Sequence, residues 1–321
     1  MGVLFVCEPC KVKVVRGGVY VFTASGEKVQ VNPAVHESIV IATRAASVTS
    51  AALAALSSMG VDVTFLGPRG FPVCRVYPPF INKTVMTRVA QYKAMLDGRG
   101  LAAVRNIVEA KIRNQAAVLR YAAKSRRSEW PALEAERLSS LASEVLEVKL
   151  DTVEIMDVES RAARVYWRAV AKLLPPEYGF EGRDPFSPDP FNQALNYGYG
   201  ILYSRCERAL LLVGLDPYGG FMHTAKSGKS TLVYDFVEQF RPVAVDKPLM
   251  FASPRLEVYG GRLTRDSRKK VASIVLEALS KPHRLGSTKK PLDDIILRKA
   301  WELASYLRGS ENVYVPFRVR W

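Results

Sequence analysis

The sequence predicts an α+β fold: a small, β-sandwich-like N-terminal domain containing one helix, followed by an all-α C-terminal domain. Three observations predict it. Up to position 77, short β-branched runs alternate with glycine-marked turns. From Thr84 onward Ala, Leu, Glu, Arg and Lys dominate, with apolar residues recurring at spacings of three and four. Between the two lies Pro78-Pro79, which can continue neither a central strand nor a helix and so divides domain 1–78 from domain 84–321.

The runs at 3–6, 11–15, 19–22, 28–31, 38–42 and 61–66 read as strands. Gly17-Gly18 and Ser25-Gly26 sit between consecutive runs, where a tight turn needs residues that tolerate positive φ, and they predict hairpins. Ser47-Val48-Thr49-Ser50 offers hydroxyl caps to a helix over 51–59, which Gly60 ends. Beyond the prolines the spacing predicts helices over 84–97, 100–123, 130–148, 156–173, 190–213, 230–239, 265–279 and 291–307. Leu101, Val104, Val108, Ile112, Ala116 and Leu119 share one face of the second of these. The segment 175–190 carries Pro175, Pro176, Pro185, Pro188 and Pro190 and is a loop.

Of 321 residues 48% are hydrophobic, enough for a sizeable core, which excludes a disordered basic tail. No stretch approaches the roughly 18 apolar residues of a membrane span. The first residues also lack the basic start of a signal peptide, so the expected location is cytoplasmic. Four cysteines, Cys7, Cys10, Cys74 and Cys206, are too few for a disulfide framework and fit a reducing compartment. Lys and Arg number 46 against 31 Asp and Glu, a net charge of +15. Positions 81–321 carry 39 basic and 27 acidic residues, so the surplus sits in the helical half and points to a polyanion such as nucleic acid. Its clusters are 120–127, 262–270 and 281–290, where basic side chains suit backbone phosphates.

His223 follows a helix-breaking stretch ending in Gly219-Gly220-Phe221-Met222. Asp235 and Glu238 follow it, three apart on one face of a predicted helix. Glu159 lies on another amphipathic helix among apolar neighbours. One imidazole with two or three carboxylates suits Mn²⁺ or Mg²⁺ better than Zn²⁺, and a cation in a basic protein suggests phosphate chemistry. A structural histidine and a solvated acidic pair would give the same pattern. Ser227-Gly228-Lys229-Ser230-Thr231 imitates the end of a phosphate-binding loop, but His223 stands where that loop needs its first glycine. Cys7 and Cys10 have ligand-pair spacing without a second pair to answer it. His36 and His283 have no acidic company in sequence.

Three segments carry a resemblance to a known family: Asn192-Gln193-Ala194-Leu195-Asn196-Tyr197-Gly198-Tyr199-Gly200-Ile201-Leu202-Tyr203, then Gly214-Leu215-Asp216-Pro217-Tyr218-Gly219-Gly220-Phe221-Met222-His223, then Leu232-Val233-Tyr234-Asp235-Phe236-Val237-Glu238-Gln239-Phe240-Arg241-Pro242. In order, they resemble the CRISPR-associated integrase family, Cas-one. Glu159 to Trp167 resembles its earlier motif, with Ser160 where glycine commonly follows the glutamate. The likeness covers nearly the whole chain. It implies a β-rich dimerising domain, so a homodimer, and a helical catalytic domain. It further implies metal ligands at Glu159, His223 and Glu238, and a supporting acid at Asp235, which would orient His223 or a metal-bound water. The implied activity is that of a metal-dependent DNA endonuclease and integrase of CRISPR immunity. With Cas-two, such an enzyme joins the 3′-hydroxyls of a captured protospacer duplex to the repeat array by transesterification, passing through branched DNA.

Asn196, Tyr199, Lys226, Lys229 and Arg241 are candidate contacts to DNA or to the metal ligands, with helix packing an equal role for Asn196 and Tyr199. Two other readings remain open at this stage. One is a non-catalytic basic DNA-binding subunit, and the other a scaffold whose charge reflects thermophily.

Overall fold

Valine alternating with lysine in strand β2, Cys10–Val15, buries Cys10 and Val12 and leaves Lys11 and Lys13 in solvent, the period of a strand covered on one face. The chain reverses at Arg16 and Gly17, both at positive φ (48° and 79°), the geometry a two-residue hairpin needs. Strand β3, Gly18–Thr23, then pairs antiparallel with β2, and β4, Lys28–Gln30, pairs antiparallel with β3. In this computed structural model, residues 2–68, 70, 72–77, 85–222 and 229–320 are described. The Pro78-Pro79 boundary, His223 and Lys226 lie outside them.

The N-terminal part holds two four-stranded sheets, as its α+β reading requires. One has the order β4-β3-β2-β6, with β6, Ala46–Val48, parallel to β2. The other runs β1-β5-β7-β8 over Gly2–Val6, His36–Ile41, Asp62–Leu66 and Pro72–Val76. Its first three strands are parallel and β8 is antiparallel. Helix α1, Ser50–Ser58, starts where Thr49 accepts the Ala52 N–H at 3.2 Å. Val12 and Val21 of one sheet, Ile39 and Val63 of the other, and Ala52 and Leu56 of α1 fill a common core.

The helical part begins with α2, Val85–Leu96, and α3, Arg99–Arg126. Helices α4, Trp130–Glu147, and α5, Thr152–Leu173, pack against α3. Asp151 starts α5 by accepting the N–H groups of Val153 and Glu154. Helix α6, Pro190–Leu212, is buried along most of its length. Close approach explains one of its glycines: a Cβ on Gly198 would stand 2.7 Å from Val245. Then come α7, Thr231–Val237, a π-turn at Pro242–Asp246, α8, Lys247–Ala252, α9, Arg265–Ser280, and α10, Leu292–Leu307. Two small hairpins complete it, β9 and β10 at Val258–Tyr259 and Arg262–Leu263, and β11 and β12 at Pro282–Leu285 and Thr288–Pro291. The sequence reading lacks β6, β8, these hairpins and the helical turns over 242–252. No helix among the described residues is long and apolar enough to cross a membrane.

A buried ion network joins the β1-β5-β7-β8 sheet to α6 and α10. Arg205, with 4% of its side chain exposed, grips Glu37 of β5 and Asp293 of α10 at once, the latter at 2.5 and 2.9 Å. Arg208 donates to Asp62 of β7 at 2.6 Å, and Arg75 of β8 donates to Asp62 at 3.2 Å and to the Ser204 carbonyl at 2.6 Å. Burial opposes ionisation of Glu37, yet Arg205 and Arg208 hold its carboxyl below the ordinary range.

Candidate active site

Glu159 lies beside the buried stripe of α5 that Ile155, Val158, Ala162 and Tyr166 form, so its carboxylate leaves the core edge rather than open surface. Glu238 caps the end of α7 with its side chain 5% exposed. From these separate helices the two carboxylates converge on one ammonium: Lys111 Nζ of α3 is 2.5 Å from Glu159 Oε1 and 2.6 Å from Glu238 Oε2. Burial alone would lower the Lys111 pKa, but the two carboxylates outweigh it and hold the amine well above its usual range. Lys111 is the site residue the sequence reading missed.

Arg241 holds the other oxygen of Glu238 at 2.5 Å. Its guanidinium lies over the rings of Tyr199 and Tyr203, 4.7 and 5.3 Å from their centroids, and donates to the Tyr203 hydroxyl. Tyr199, buried, donates its hydroxyl to Asp246 at 2.6 Å, and Tyr166 donates to the same carboxylate at 3.2 Å. Tyr199 and Arg241 therefore build the floor beneath Glu238.

Burial pushes the Asp246 carboxyl up to about 6 against the opposing hydrogen bond from Tyr199 and the charge of Arg241. A raised folded pKa means that the folded state binds the proton more tightly. The contribution of Asp246 to stability is thus full below its unfolded pKa and falls as pH rises through its folded pKa of about 6. Relative to wild type, Asp246→Asn should therefore gain about 3 kcal/mol between roughly pH 4 and pH 7, read from urea midpoints at the two values.

Asp235 is fully buried and accepts the Phe221 and Met222 N–H groups at 2.7 and 3.2 Å, fixing the backbone that leads into position 223. Gly220 is explained by space, since a Cβ there would lie 2.7 Å from the Thr231 backbone. Asp235 and Glu238 thus share a helix but divide their tasks between the loop backbone and the cation pair. Asn196 accepts from Arg183 at 2.7 Å and donates to the Pro185 carbonyl at 2.9 Å, so it ties the proline-rich loop to α6. Lys229 is exposed, its carbonyl accepting the Thr231 N–H at 2.9 Å. Gln239 is buried and accepts the Phe317 N–H at 2.7 Å, which binds the C-terminal segment under α7.

Among the described residues no group of three His, Cys, Asp or Glu side chains gathers for a metal, and the expected third member, His223, lies outside them. Glu159 and Glu238 suit a hard divalent cation: both are carboxylates, and their oxygens already meet at one positive charge. Cys7 is half-buried and Cys10 buried, both free thiols with pKa raised by burial. His283 packs edge-on against Phe317, with burial lowering its pKa. His36 accepts the Asn32 N–H at the start of β5.

A family model described as CRISPR associated protein Cas1 matches residues 4–274. The chain is 40% identical to the CRISPR-associated endonuclease Cas1 of Hyperthermus butylicus over 99% of its own length and 98% of that protein's. Among solved structures, "Casposase bound to integration product" superposes with a TM-score of 0.84 at 24% identity, covering 98% of this chain and 93% of that one. The "Cas6-RT-Cas1--Cas2 complex" gives 0.77 at 18% identity, over 99% of this chain and 36% of that one. Both structural likenesses concern the fold.

Proposed function

The chain belongs to the family of CRISPR associated protein Cas1, and on that premise we propose that it is a metal-dependent DNA endonuclease and integrase of CRISPR immunity. In this reading it acts in the cytoplasm as a homodimer with Cas-two and inserts new spacers into the repeat array. The observation that carries the reading is the convergence of Glu159 and Glu238 on a single point of positive charge in the half of the chain that holds most of the basic surplus.

Glu159, His223 and Glu238 would hold Mn²⁺ or Mg²⁺. When bound, the ion supplies the Lewis acidity that activates a 3′-hydroxyl, or water in hydrolysis, and stabilises charge on the phosphate. Arg241, packed on Tyr199 and Tyr203, holds one oxygen of Glu238 and so fixes its direction. Asp235 holds the Phe221 and Met222 backbone, the two residues that precede His223 in sequence. Lys226 and Lys229 follow His223 in sequence and would steady the DNA backbone.

The test is cleavage and strand joining of a labelled branched DNA with Mn²⁺, Mg²⁺ or EDTA. Products in either metal and none in EDTA are expected. Salt-sensitive binding without turnover in any metal would overturn the proposal and leave a non-catalytic DNA-binding subunit.

A further inference from the structure

Lys111 bridges the two carboxylates on which the metal reading rests, with 12% of its side chain exposed. Its helix is fixed locally: Val108, Ile112 and Gln115 are buried around it. Asn114 donates to the carbonyls of Gln239 and Phe317 at 2.7 and 3.0 Å, tying this turn of α3 to the residue after Glu238. The cations around Glu238 differ in freedom. Arg241 is a planar fork clamped on two tyrosine rings, whereas Lys111 is a point charge on a flexible four-carbon stem.

Two facing carboxylates repel each other, and the Lys111 ammonium lies between them, 2.5 Å from an oxygen of Glu159 and 2.6 Å from one of Glu238. A divalent ion binds carboxylate oxygens at about 2.0–2.6 Å, so it competes for the same lone pairs that Lys111 contacts. We propose that Lys111 is the resident counter-cation of the site. It holds Glu159 and Glu238 facing one another in the metal-free protein, is displaced when the ion binds, and thereby sets metal affinity. It is a positioning residue, and the inference rests on the metal-dependent reading above.

The test titrates Mn²⁺ into the full chain, with free Mn²⁺ followed by electron paramagnetic resonance, for wild type, Lys111→Met, Lys111→Arg and Glu159→Gln. Removing the competing charge should tighten Mn²⁺ binding by about tenfold or more in Lys111→Met. Lys111→Arg, which keeps the charge, should not tighten it, and Glu159→Gln should weaken it. If Lys111→Met does not fold by circular dichroism, Lys111→Gln, neutral and polar, carries the same expectation. Affinity unchanged or weaker in a folded neutral variant, with wild type still binding, overturns the role of Lys111 and leaves the metal reading standing. No Mn²⁺ bound by wild type or by either neutral variant overturns both.

Discussion

Glu238→Gln should reduce single-turnover cleavage and joining by at least about a thousandfold, the several kcal/mol that a catalytic metal supplies. The substitution keeps the shape of the side chain and removes the charge that meets both Lys111 and Arg241. The fold should survive it. Asp235 still holds the Phe221 and Met222 backbone, and Gln239 still binds the C-terminal segment. DNA binding, if it rests on Lys and Arg side chains as proposed, should change little. A rate within about tenfold of wild type would remove Glu238 from the chemistry.

Arg205→Ala should have the largest effect on stability, a loss of about 3–5 kcal/mol in chemical denaturation. The guanidinium has 4% exposure and serves Glu37 and Asp293 together, so truncation leaves two largely buried carboxylates without that partner in the seam between the β1-β5-β7-β8 sheet and the helices. Arg208 also reaches Glu37, at 3.5 Å, which softens the loss on that side only. Asp293 loses a two-point contact. A change below about 1 kcal/mol would mean that the seam admits enough water to solvate both acids.

Periodicity made the long helices legible because they bury a continuous stripe: the predicted 100–123 and 190–213 correspond to α3 and α6. The hairpin at Arg16 and Gly17 was marked by its own turn chemistry. By contrast β6 is three residues long and pairs in parallel with β2, a non-local contact with no local signature. The helix predicted over 230–239 ends before Pro242, yet the chain continues in helical form through that proline. A proline at the first position of a turn needs no N–H, and Ala244 donates back to the Phe240 carbonyl at 2.8 Å.

At the site, Asp235 and Glu238 are visible as acids at helical spacing, Glu159 as an acid on a separate amphipathic helix, and all three through their resemblance to family motifs. Spacing could not say that Asp235 serves the loop backbone while Glu238 serves the cation pair, because that depends on how α7 sits against residues 221 and 222. Lys111 gave no signal at all. A single lysine beside Val108 and Ile112 on a helix reads as an amphipathic side chain reaching for solvent. Its role depends on α5 and α7 bringing their carboxylates to it.

If Glu159, His223 and Glu238 form one metal-dependent phosphodiester site, as proposed, loss of the imidazole should stop strand joining without stopping DNA binding. The most direct measurement compares wild type with His223→Ala in joining a labelled branched DNA in Mn²⁺, at DNA concentrations where both are fully bound. Equal binding with joined product from wild type alone, abolished by EDTA, is the predicted result. Product formation by His223→Ala at the wild-type rate, or by wild type in EDTA, would contradict it.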